Sequence, residues 1–76
     1  MAELEKPELI VKRVLEERGI QQKFICEKIG IPQQIFSYCM RGKRKFQVWE
    51  FIAICDLLNL DFSLFENCFP KVKQNG

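Results

Sequence analysis

Histidine is absent from the chain, and with it the commonest metal ligand and the side chain most used for proton transfer near neutral pH. No two of the four cysteines (Cys26, Cys39, Cys55, Cys68) stand at C-x-x-C spacing, so a zinc site is disfavoured and no metal ligand is assigned. No glycine-rich phosphate loop and no convergent carboxylate pair occurs. The chain is therefore expected not to be an enzyme, with no catalytic residue and no cofactor. The longest apolar run, Phe51 to Cys55, is only five residues, far short of the ~20 a membrane helix needs. The opening MAELEKPE is acidic where a secretory signal begins basic, so neither a signal nor a membrane partner is expected. These absences point to a reducing, cytoplasmic setting in which cysteines serve as small buried hydrophobes. Cys68, the one cysteine off a predicted core face, is the candidate for a redox role.

What is present is compact and unevenly charged. Seventy-six residues make one small domain, and such a chain buries only about 60 % of its unfolded surface. The 47 % hydrophobic content and seven phenylalanines argue for an ordered core. The net charge of +2 divides into −1 over residues 1–19, +5 over 20–45, −3 over 46–65 and +1 over the remainder. The middle segment holds Lys23, Lys28, Arg41, Lys43, Arg44 and Lys45 against Glu27 alone. Such a localised basic segment suits an anionic ligand such as a phosphate backbone; a solvated surface loop fits the cluster Arg41, Lys43, Arg44, Lys45 equally well.

Apolar residues recur at three and four throughout, with no sustained alternation, which predicts an all-α fold of four to five helices. The first helix opens at Pro7, with Glu8 facing its positive end and Ile10, Val11, Val14 and Leu15 as its inward stripe, and stops at Gly19. A second runs from Gln21 or Gln22 to Ile29, burying Ile25, Cys26 and Ile29, and stops at Gly30. A third starts at Pro32, turns Phe36, Cys39 and Met40 inward and ends at Gly42. A turn of about three residues between two short helices signals a helix-turn-helix, with its core over residues 20–42. A fourth helix, Gln47 to Leu58, is expected to bury Val48, Phe51, Ile52, Cys55 and Leu58. Asp61 or Ser63 caps a last turn holding Phe62, Leu64 and Phe65. The domain is expected to span residues 1–66, leaving 67–76 as a fraying tail with Phe69 as its candidate anchor.

The run GIQQKFICEKIGIPQQIFSYCMRGKRK, continued by FQVWEFIAICDLLNLDFSLF, resembles the lambda-repressor-like, Cro-type helix-turn-helix domains of the xenobiotic-response-element family. The match is ungapped from Gly19 to Phe65. It rests on Gly19 and Ile20 before the second helix, Gln22 at its start, and Ile25 and Cys26 on one face. Ile29, Gly30 and Ile31 follow at the turn, then Phe36 and Cys39 three apart, Gly42, and the closing LLNLDFSLF. The resemblance implies that the helix from Pro32 to Arg41 enters the major groove of double-stranded DNA. Gln33, Gln34, Ser37 and Tyr38 then stand as base-contacting residues, since a Gln amide can pair bidentately with adenine and Ser serves as donor or acceptor. Without the resemblance they read as solvated polar residues. Gln22, Arg41, Lys43, Arg44 and Lys45 are the phosphate contacts, which position without specifying sequence. The implied function is a sequence-specific regulator, a repressor that occludes promoters as a homodimer, cytoplasmic and nucleoid-associated.

Three departures accompany the match. Gln21 and Pro32 replace the usual Ser or Thr caps, removing acceptors that contribute about 0.5–2 kcal/mol each. Met40 stands where an acidic residue commonly precedes Arg41. Phe24, Ile35 and Trp49 occupy positions usually polar; Ile35 can meet a thymine methyl, whereas Phe24 and Trp49, with Phe69, are interface candidates. A second function follows from them: an antitoxin-like or regulatory module that binds a protein partner through these apolar residues.

Overall fold

The computed structural model describes residues 4–69 of the chain. Four α-helices, α1 (Pro7–Arg18), α2 (Gln22–Ile29), α3 (Gln33–Met40) and α4 (Val48–Leu58), precede a final 3-10 helix (Phe62–Cys68). The domain is all-helical, with no strand among the described residues, and none of their helices is long and apolar enough to cross a membrane.

Helix ends explain the tight connections. After α1, α2, α3 and α4 the chain passes through Gly19, Gly30, Gly42 and Asn59, each with positive φ. The following residue's N–H then reaches back to a carbonyl five positions earlier: Ile20 to Leu15 at 2.9 Å, Ile31 to Cys26 at 3.1 Å, Lys43 to Tyr38 at 3.0 Å and Leu60 to Cys55 at 2.8 Å. This closure satisfies carbonyls that a helix end otherwise leaves unpaired. At Gly30, with φ 76°, only a residue without Cβ adopts the conformation at little cost, so α2 turns into α3 within three residues. Ile31 after it is buried and nails the turn to the core.

Each element contributes at least one fully buried side chain: Val11, Ile25, Phe36 with Cys39, Ile54 and Phe65. Burying a side chain of this size contributes about 1.5–3 kcal/mol. Phe65 meets Phe51 edge to face, with ring centroids 4.8 Å apart, and Phe36 stacks against Phe46 at 6.3 Å. The Arg18 guanidinium donates to the Leu58 carbonyl at 2.7 Å and so fastens the last turn of α1 to that of α4.

The predicted inward residues of α1 and α3 are all buried, and on α2 Ile25 and Cys26 are buried while Ile29 is half-buried. On α4 the expected Cys55 and Leu58 are buried and Phe51 half-buried, but Val48 is 76 % and Ile52 52 % exposed, whereas Ile54 and Glu50 are buried. The helix is apolar nearly all round, so periodicity alone leaves its orientation open, and the polar partners of Glu50 decide it. Phe62 and Leu64 are likewise exposed, and only Phe65 of that predicted trio enters the core. Asp61, not Ser63, caps the last helix by accepting from Ser63 N–H at 3.0 Å. The folded unit also runs past residue 66. Cys68 is buried, and Asn67 accepts a backbone hydrogen bond from Glu5 at 3.0 Å. The rest of the expected tail, residues 70–76, lies outside the described residues.

Candidate nucleic-acid interface

Helix α3 has two faces of opposite character. Phe36, Cys39 and Met40 hold it to the core, which leaves Gln33, Gln34, Tyr38 and Arg41 exposed and Ser37 half-buried on the outer side. Spacings of three and four residues align Gln34, Ser37, Tyr38 and Arg41 along one ridge, with Gln33 beside it at the helix start. Ile35 is half-buried and packs against the core, which corrects the expectation of a free apolar contact there. Neither α2 nor α3 begins with a side-chain cap. Their first N–H groups therefore stay open to an external acceptor, at the positive end of each helix dipole. Gln22 stands half-buried at the start of α2, next to exposed Lys23.

The cations differ in availability. Arg41, Lys43 and Lys45 are exposed. Arg44, expected to meet phosphate, is engaged internally: its Nη1 lies 3.0 Å from Glu50 Oε1 and its Nη2 3.4 Å from Oε2, and Nη1 also donates to Cys39 Sγ at 3.3 Å. The hydrogen bond to Glu50 raises the guanidinium pKa further. Arg44 thus ties the basic loop to α4 and to the inner face of α3, and it leaves the set of phosphate contacts.

Two buried carboxylates hold the segment after that loop. Glu8 accepts from Phe46 N–H at 2.8 Å, and Glu50 accepts from Gln47 N–H at 2.8 Å while binding Arg44. Every buried side-chain polar atom among the described residues has a partner. Lys6 adds a bond from the other side, donating to the Gly42 carbonyl at 3.2 Å where α3 ends. Of the interface candidates, Phe24 is exposed with Lys28 Nζ 5.6 Å from its ring centroid. Trp49 is exposed and its indole donates to Gln47 Oε1 at 2.7 Å. Phe69 is exposed beside a cleft of about 480 Å³ that it lines with Leu4, Lys6 and Lys43.

No protein-family model, curated protein or solved structure matches this chain. The candidate site thus rests on its geometry and on its residues.

The sequence marks Glu8 only as an acidic residue at the positive end of α1, and it marks neither Glu50 nor Lys6. For Glu50 a local signal exists: the spacing Gln47-x-x-Glu50 is that of a capping box, in which the third helical residue reaches back to the N-cap amide. Glu8 bonds to a residue 38 positions away, and Lys6 to one 36 away, so no local pattern marks either.

All four cysteines are free and buried, including Cys68, which corrects its placement off the core and with it the ground for a redox role. Burial pushes each thiol pKa above the ordinary 9.0, and at Cys39 the Arg44 hydrogen bond opposes this without reversing it. The folded chain keeps these protons at a pH where the unfolded chain has lost them. The thiols' contribution to stability is therefore complete below about pH 9 and falls as pH rises from there through the folded values. Urea unfolding of wild type and Cys26→Ala/Cys55→Ala between pH 7 and pH 10 checks this. The variant should be weaker throughout yet lose less with pH, and equal slopes would contradict the assignment.

Proposed function

We propose that the chain is a sequence-specific DNA-binding transcriptional regulator of the lambda-repressor-like type, acting in the cytoplasm on the nucleoid. The observation that carries this reading is the outer face of α3. It presents Gln33, Gln34 and Tyr38 to solvent, flanked by Arg41 and Lys43, on a helix pinned from behind by Phe36 and the buried Ile31. A helix so presented fits the major groove, about 12 Å wide, with its N-terminal residues against the base edges. Gln33 and Gln34 then read bases, with Ser37 and Tyr38 beside them. Gln22 at the open start of α2, with Arg41 and Lys43, meets phosphate. In this reading two copies act as a homodimer that occludes a promoter.

The test is fluorescence anisotropy of labelled duplexes across a salt series. Binding should weaken steeply with salt, with a log–log slope near −0.9 per phosphate contact. Lys43→Ala should lower that slope by about one contact with the fold intact. Arg44→Ala should leave it unchanged while reducing thermal stability. No binding to any duplex at low salt would overturn the proposal.

A protein-interaction module is the second reading, favoured by the exposed Val48, Trp49, Ile52 and Phe62. Co-purification of a second protein species with a chain that ignores DNA would select it.

A further inference from the structure

The outer face of α4 is the largest feature that the DNA-binding face leaves unused. Residues 48, 49, 52 and 56 share one side of a helix, and here they are Val48, Trp49, Ile52 and Asp56, all exposed. Phe62, 65 % exposed and 6.2 Å from half-buried Phe51 by ring centroids, is a further exposed apolar group after α4. The buried arc of the same helix, Glu50, Ile54, Cys55 and Leu58, lies opposite. A helix apolar on both sides is ordinarily covered on both sides.

Charge selects the cover. The exposed Lys45 precedes α4 at its N-terminal end, where the helix dipole is positive, while exposed Asp56 and then Asp61 lie toward its C-terminal end and outnumber Arg18, which donates to the Leu58 carbonyl there. Two copies of α4 packed antiparallel about a twofold axis near Ile52 bring each basic end to the partner's acidic end. The same arrangement buries Val48, Trp49 and Ile52 against their counterparts. A parallel arrangement opposes like charges.

We infer that α4 is the self-association surface of this chain, joining two copies antiparallel through Val48, Trp49 and Ile52 with Lys45 facing Asp56 of the partner. The inference deepens the homodimer of the proposed function, yet it draws on a separate surface. A single helix pair is a small interface, so the dissociation constant falls between about 1 and 100 µM, and a palindromic duplex tightens it by binding both copies.

Sedimentation equilibrium of the full chain without DNA tests this. The apparent mass should climb from 9.0 kDa toward twice that value as concentration rises through the micromolar range. Ile52→Glu should weaken association at least tenfold while circular dichroism and the melting curve stay near wild type, because Ile52 is half exposed. Asp56→Lys should weaken it about fivefold, and Lys45→Glu in the same chain should restore it. A chain monomeric at every concentration overturns the inference, as does a dimer indifferent to Ile52→Glu or a charge swap without rescue. A chain that dimerises through α4 yet binds no duplex upholds the surface and defeats the DNA-binding proposal alone.

Discussion

Phe36→Ala is expected to remove about 3–5 kcal/mol of stability, the usual cost of deleting a fully buried aromatic ring. Phe36 has no exposed surface, stacks on Phe46 and lies on the inner face of α3. A chain of this length has only about 4–11 kcal/mol in total, at about 0.05–0.15 kcal/mol per residue. The substitution should therefore remove about a quarter or more of the stability, seen as a lower melting temperature and a shifted urea midpoint, with lost helical circular dichroism at 37 °C if the total lies at the low end of that range. The effect reaches function through structure, because an eight-residue helix has little stability of its own and keeps its shape only while its inner face is packed. A loss below about 1 kcal/mol would mean that α3 is held by something other than this core.

Replacing Gln33 and Gln34 together by Ala should have the opposite profile. Both side chains are exposed, so the fold should survive, and the loss should fall on discrimination between DNA sequences. A good bidentate base contact contributes about 1–3 kcal/mol of discrimination, so two contribute about 2–6 kcal/mol, or between about 30-fold and about 10⁴-fold in the specificity ratio. Binding to random duplex should persist with its salt dependence unchanged, because the phosphate contacts remain. Competition of selected against random duplex measures the ratio directly. A double variant as selective as wild type would move base reading to other residues.

Much of the fold is legible in the sequence because its punctuation is local. Gly19, Gly30 and Gly42 announce left-handed stops, and the stripes on α1, α2 and α3 each have a polar face to contrast with. Helix α4 lacks that contrast. VWEFIAICDLL is apolar on every side, and its rotation is set by Glu50, a buried carboxylate whose partners are Gln47 N–H and Arg44. The same pair explains why Arg44 was misplaced among the phosphate contacts. Lys43, Arg44 and Lys45 are alike as a charge run, and only the fold of the loop separates the one that turns inward from the two that remain exposed. Cys68 was missed for a related reason: its cover comes from the far end of the chain, where Glu5 and Asn67 join the termini.

The central claim is that the outer face of α3 reads DNA sequence. Selection of bound duplexes from a random pool by the full chain tests it most directly. The selection should enrich an inverted repeat whose half-sites contain adenine steps for Gln33 and Gln34, with centres about one helical turn, roughly 34 Å, apart. A pool that returns unenriched from a folded chain, at a salt concentration low enough for binding, would contradict it.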